Sequence, residues 1–261
     1  MFLNPDTILP EDGLEKCLHF FQQQENTGAL GVKMIDGAGN FLPESKRGFP
    51  SAFASFCKMS GLTSMFPKSK LFARYYLGHL QENQNNEIDV VSGAFMMVDK
   101  KVLDAVGSFD EDYFMYAEDI DLSYRIQNAG YKNFYFADTS ILHFKGESVS
   151  KQSPEYAKHF YGTMIQFIQK HYSGLAKWLY VLLLKIFIGV KTMFASKSKP
   201  LQPKQPEKIF VIGADETFSR FLQTIKANTI NEVATGNAIL FCEPPLSFKE
   251  IINNIHQYKN Q

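Results

Sequence analysis

The sequence predicts an α/β protein, on two observations. Strand-like apolar runs alternate with helical periodicity through residues 1–172, and a strand–helix–strand–helix pattern recurs over residues 208–261. Between them lie an apolar stretch and a linker, residues 173–207, which divide the chain into three zones. The 261 residues suffice for one core, or one core and a small appendage. An apolar fraction of 45% and a charged fraction of 21% are ordinary for a globular chain and argue against wholesale disorder.

From the N-terminus, Asn4-Pro5-Asp6 is turn chemistry by itself. Residues 12–24 have helical spacing that puts Leu14, Cys17, Leu18 and Phe21 on one face. Residues 29–35 read as a strand, closed by the turn Asp36-Gly37-Ala38-Gly39-Asn40. Residues 45–86, rich in Phe, Lys, Gln and Asn, read as a surface excursion. Residues 88–98 read as one strand broken at Ser92-Gly93, where small residues mean either a β-bulge or close approach of the backbone to a ligand. A helix opens at Glu118-Asp119, where the exposed N–H groups and helix dipole favour negative charge, and Gly130 follows its end. Asp121 and Arg125, four apart, form a surface or supporting ion pair. Residues 133–137 and 141–143 are expected as two short strands, and residues 155–172 as a helix. His143 alone on an apolar strand suits packing as well as ligation.

Residues 175–195 (LAKWLYVLLLKIFIGVKTMFA) are strongly apolar, but Lys177, Lys185 and Lys191 interrupt them and share one sector of a helical wheel, with Trp178 at its edge. A central lysine is costly in a spanning helix, so the segment is expected to lie in a membrane interface with its lysines at the headgroups, or else to pack as an amphipathic helix. Residues 196–207, with three prolines, form a stiff spacer. The strand–turn–helix start at Val211-Ile212-Gly213-Ala214-Asp215 lacks G-x-G-x-x-G, so the Rossmann-like βαβα appendage is assigned no ligand.

Lys plus Arg and Asp plus Glu balance at 27 each, leaving no field to attract nucleic acid. Cys17, Cys57 and Cys242 are scattered without CxxC spacing, which fits a reducing compartment and no structural zinc. The first residues lack the basic and apolar regions of a secretory signal. A cytoplasmic protein, peripheral on the inner face of the cell membrane, is the resulting expectation.

Five strings occur in a telling order: FLNPDT around Asp6, Ser92-Gly93-Ala94, Gly107-Ser108-Phe109-Asp110-Glu111, Ala117-Glu118-Asp119-Ile120-Asp121, and SILHFKGES around His143. Together they resemble the family 2 glycosyltransferases, especially rhamnosyl- and galactofuranosyl-transferase-like members, over residues 1–170. The resemblance implies a GT-A fold and inverting transfer of a sugar from a nucleotide-sugar donor to a glycan or lipid-linked acceptor in cell-surface polysaccharide synthesis. It implies that Asp6, in an NPD variant of the DxD motif, and His143 hold a divalent cation, Mn2+ or Mg2+, against the donor diphosphate. Asp119 is then the general base and Glu118 its neighbour orienting the acceptor. Gly93 and Ala94 line the acceptor side, and Ser148, near Gly146, meets a donor phosphate. Asp110 and Glu111 shape the loop before the base, where Ser108 departs from the family's GGFDE string.

In complete members, strands and helices holding the nucleotide precede the NPD string. This sequence begins there, so residues 1–172 are expected to be the C-terminal portion of a GT-A domain, with the N-terminal nucleotide-binding part lacking. A catalytically incomplete fragment with only a membrane- or partner-binding role is the alternative. A metal-dependent hydrolase fits less well, because the sequence offers no second ligand cluster.

Overall fold

The computed structural model describes residues 1–113, 116–144, 154–194, 209–212, 238–241, 248, 249 and 252. Its centre is a mixed sheet. Strand β3 (Thr27–Ile35) is buried along its whole length and runs parallel to β6 (Lys132–His143). Beyond β3 lie β5 (Phe95–Val98) and then β1 (Phe2–Leu3), both antiparallel to their neighbours. The far edge of β6 carries two short antiparallel partners, β2 (Thr7–Ile8) at its C-terminal end and β4 (Asn86–Ile88) nearer its start.

Helices α1 (Gly13–Gln23), α4 (Lys100–Val106) and α5 (Glu118–Asn128) join these strands. Helix α5 crosses β3 at Gly28, where a Cβ would lie 2.3 Å from Ile126 Cγ2, so only glycine allows this approach. The helix ends as its sequence predicts, with Gly130 at φ +87° and its N–H bonded to the Gln127 carbonyl. Helices α2 (Ala52–Met59), α3 (Leu62–Met65), α6 (Pro154–His171) and α7 (Leu175–Phe194) complete the main body. Tyr180, Val181 and Leu184 of α7 share one core cluster with Phe167 and Ile168 of α6 and Ala54 of α2.

Several expectations change. Residues 88–98 are not one interrupted strand. β4 pairs with β6 and β5 with β3, so residues 89–94 carry the chain from one side of the β3–β6 pair to the other. The two short strands expected at 133–137 and 141–143 are one strand with a bulge, where the partner of Val32 is Phe136 and that of Lys33 is Ser140. Asn85 holds the bulge through the Ala137 N–H (2.7 Å) and Asp138 Oδ2 (2.9 Å). Helix α1 buries Gly13 and Cys17, with Phe20 and Phe21 half-buried, and leaves Leu14 and Leu18 exposed, a rotation of the expected face. Residues 45–86 hold two helices and two core tyrosine neighbours, Tyr75 and Tyr76, rather than a mere surface excursion.

No described helix is long and apolar enough to cross a membrane. On α7, Lys177 is half-buried and its Nζ donates to the Gln169 carbonyl at 2.8 Å, whereas Lys185 is exposed, and Leu175, Trp178, Leu179, Leu182 and Ile186 face outward.

Farther along, β7 (Ile209–Ile212) and β8 (Ala238–Phe241) pair in parallel. Phe248 and Ile252 pack on Ile8, Ile35 and Leu142. The linker and the expected helix between β7 and β8 lie outside the described residues, as does Ser148.

Candidate active site

The crossing segment 89–94 puts a backbone turn directly over the start of α5. The Gly93 N–H donates to Asp119 Oδ2 at 3.0 Å, and a Cβ on Gly93 would lie 3.5 Å from Asp119 Cβ and 3.9 Å from Glu118 Oε1. The segment is pinned from below: the Val91 N–H donates to Ser123 Oγ (3.1 Å), and Asn133 Nδ2 donates to both the Asp89 (2.8 Å) and Ser123 (3.0 Å) carbonyls. Thus β6, α5 and the turn hold one another in register.

Helix α5 is entered through two left-handed residues, Tyr116 and Ala117, each with φ +69°. Non-glycine residues in this region cost on the order of 1–3 kcal/mol each, and such strain concentrates at functional sites. At this helix start Glu118 and Asp119 both lie close to Gly93.

Arg47 comes from the segment before α2. Its guanidinium donates to Asp119 Oδ2, with the Tyr75 side chain beside it. Burial disfavours the Arg47 charge, but Asp119 and Tyr75 beside it more than restore it, and its pKa is raised. The segment is fixed by a bridge from the Val90 N–H to the Arg47 carbonyl (2.9 Å), and Gly48, whose Cβ would come 2.6 Å from the Arg74 carbonyl, must be glycine. Both donors reach the same oxygen of Asp119. Among the described residues nothing donates to Oδ1, which remains able to accept a proton.

Glu118 differs. Burial first, and then the Asp119 charge, raise its pKa to about 7, and its Oε2 is buried without a partner among the described residues. Two adjacent carboxyl groups thus have distinct environments, Asp119 paired with a guanidinium and Glu118 poised to carry a proton near neutrality.

The strings around Asp6 and His143 also meet. Because β2 pairs with the end of β6, Asp6 Oδ1 lies 3.4 Å from His143 Nε2, and the Phe144 N–H donates to the Asp6 carbonyl at 3.0 Å. The Asn4 N–H donates to the Ala94 carbonyl (3.0 Å), which ties this pair to the turn over Asp119. Burial lowers the His143 pKa against the opposing pull of Asp6, so the ring is neutral at pH 7, the form that ligates metals. Its Nδ1 is buried without a described partner. The separation suits two ligands of one cation. Among the described residues no cluster of three or more His, Cys, Asp or Glu forms, so a hard cation here would take its other oxygens from diphosphate and water.

Asp121 is not a surface partner of Arg125. It is fully buried and accepts from Arg125 Nε (2.7 Å), Lys170 Nζ (2.8 Å) and His171 Nε2 (2.5 Å), which ties α5 to the end of α6. Lys170 also reaches Asp110 (2.6 Å), and Arg125 reaches the Ser108 carbonyl (2.7 Å), so Asp110 shapes the preceding loop. Arg47 and Tyr75 escaped the sequence reading. The only hint was Arg47-Gly48-Phe49-Pro50, a cation in a rigid turn.

A family model described as glycosyl transferase family group 2 matches residues 1–201. An N-acetylglucosaminyl-diphospho-decaprenol L-rhamnosyltransferase of Mycobacterium tuberculosis, found in two strains, is 28% identical over 169 residues, covering 64% of this chain and 54% of that protein. The rhamnosyltransferase WbbL of Escherichia coli is 27% identical over 146 residues, covering 55% of this chain and 51% of WbbL. The chain spans about half the length of these curated relatives.

Proposed function

Since the chain belongs to glycosyl transferase family group 2, we propose that it moves a sugar from a nucleotide-sugar donor to a glycan or lipid-linked acceptor, with inversion at the anomeric carbon. The names of its relatives favour a deoxyhexose donor and an acceptor carried on a polyprenyl diphosphate; we place this step at the inner face of the cell membrane, in cell-surface polysaccharide synthesis. The GT-A assignment is supported by the mixed sheet and by the order of the site strings along it.

The observation that carries this reading is the Asp119 carboxylate, with Oδ2 clamped by Arg47 and Gly93 and Oδ1 without a donor among the described residues. An acceptor hydroxyl lying against the Gly93-Ala94 turn gives its proton to Oδ1 as its oxygen bonds to the anomeric carbon. The bond from that carbon to the donor phosphate breaks on the opposite face, and the nucleoside diphosphate leaves. Glu118 lies alongside and orients the acceptor. Asp6 and His143 would hold a divalent cation, which supplies charge neutralisation to the leaving diphosphate.

The test is transfer of radiolabelled sugar to a polyprenyl-diphosphate-linked acceptor by the full chain and by Asp119→Asn. General-base catalysis contributes about 10²–10⁴-fold, so a loss of that size is expected, with acceptor KM little changed. An active Asp119→Asn enzyme would remove the proposed base.

A further inference from the structure

We propose that the outward face of α7, together with the loop after α3, forms a docking surface for an anionic lipid bilayer. The inference deepens the reading above, resting on its lipid-linked acceptor, and adds which part of the protein meets the membrane. Leu175, Trp178, Leu179, Leu182 and Ile186 recur at helical spacing on the open side of α7, and Trp178 is 74% exposed. A single exposed leucine needs no explanation, but a continuous apolar helix face does. On α2, α3 and the loop after it, Phe56, Met65, Phe66 and Leu71 are also exposed, Met65 to 70%. Helix α2, which leads into that loop, packs against α7: Ser55 Oγ bonds Tyr180 Oη at 2.6 Å and Ala54 packs with Tyr180 and Leu184.

Charge names the occupant. The chain has no acidic residue between Glu44 and Glu82, and none between Glu155 and Glu207, although acids and bases balance overall. The two segments carrying the exposed apolar side chains are therefore purely cationic. Lys68 and Lys70 stand exposed among Phe66 and Leu71, and Lys185 is exposed at the border of the α7 face. Apolar side chains that enter the acyl boundary, bordered by lysines at headgroup level, match an anionic membrane interface. A protein partner would need matching acids and a shaped groove, which a smooth helix face does not call for.

Trp178 is the sole tryptophan, so its fluorescence in the unmodified chain reads the contact directly. With vesicles of phosphatidylcholine and phosphatidylglycerol, its emission should shift to shorter wavelength and the protein should co-sediment. Phosphatidylcholine alone should bind at least about tenfold more weakly. Lys68→Glu with Lys70→Glu, both on an exposed loop, should weaken anionic binding about tenfold or more, and Leu182→Glu should abolish it. Each variant should keep its circular dichroism and its transfer to a water-soluble, short-chain acceptor, which separates this surface from the catalytic reading. Equal binding to neutral vesicles, no shift with anionic ones, or unchanged binding by the folded variants would overturn the proposal. So would a lipid-free blue shift that grows with protein concentration, which would give the face to a second copy of the chain.

Discussion

Arg47 and Asp119, 72 residues apart in the chain, form an ion pair whose two side chains are each only 11% exposed. The pair joins the segment before α2 to the start of α5 and commits one carboxylate oxygen. A buried pair of this kind gives orientation more reliably than stability. Arg47→Ala should lower kcat by about 10²-fold, the cost of a small misplacement at a reacting group, with donor affinity nearly unchanged. Guanidinium ion added in solution should restore part of the rate, and Arg47→Lys should not fully substitute because it lacks the planar fork. A variant with full kcat would show that Asp119 needs no such clamp.

Glu118 makes a prediction with a definite sign. Its folded pKa is raised from 4.5 to about 7 by burial and by Asp119. Between those values the folded state holds a proton that the unfolded state has released, so stability falls as pH rises through that window and stays lower above it. Glu118→Gln should therefore be more stable than the parent at pH 8, by at most about 3 kcal/mol, and equal to it near pH 4. Thermal unfolding at both pH values decides this, and a gain at pH 4 instead would reverse the assignment.

The start of α5 was legible because its chemistry is local. Glu118-Asp119 and Gly130 mark the helix ends through backbone rules that act over one turn. Asp6, Gly93 and His143 were also named from short strings, and the sheet brings each to the same region through strand pairings. Arg47 and Tyr75 were not legible, because nothing local marks a residue whose partner is fixed by a crossing between sheet halves. The same crossing explains why residues 88–98 looked like one strand: an apolar run does not reveal which neighbour each part will pair with. On α1, Leu14 and Leu18 fitted the helical period but lost the core to Phe20, which stacks on Phe136 at 4.7 Å.

Asp121 is expected to matter for folding more than for chemistry. Burial would raise its pKa, but hydrogen bonds from Lys170, His171 and Arg125 outweigh this and lower it. Its stabilisation is present above the ordinary carboxylate range and is lost as pH falls through its lower folded value. Asp121→Asn should cost about 3–5 kcal/mol in urea unfolding at pH 7. Asp104→Asn, which breaks only the exposed pair with Lys100, should cost under about 1 kcal/mol. Similar losses in the two variants would contradict the role given to the buried hub.

The Asp6–His143 pair supplies one carboxylate and one neutral imidazole, too few ligands to hold a hard cation tightly without help. Metal affinity should therefore depend on the nucleotide. Titration of Mn2+ followed by electron paramagnetic resonance should show weak binding to the chain alone and at least about tenfold tighter binding with a nucleoside diphosphate present, since its phosphates complete the oxygen set. His143→Ala and Asp6→Ala should each remove that enhancement. Lowering the pH far enough to protonate His143, which burial moves below the ordinary imidazole range, should weaken it in the parent, because an imidazolium has no lone pair to offer. If Mn2+ binds equally with and without nucleotide and ignores both substitutions, the cation belongs elsewhere and Asp6 is left as the partner that fixes His143 at the end of β6.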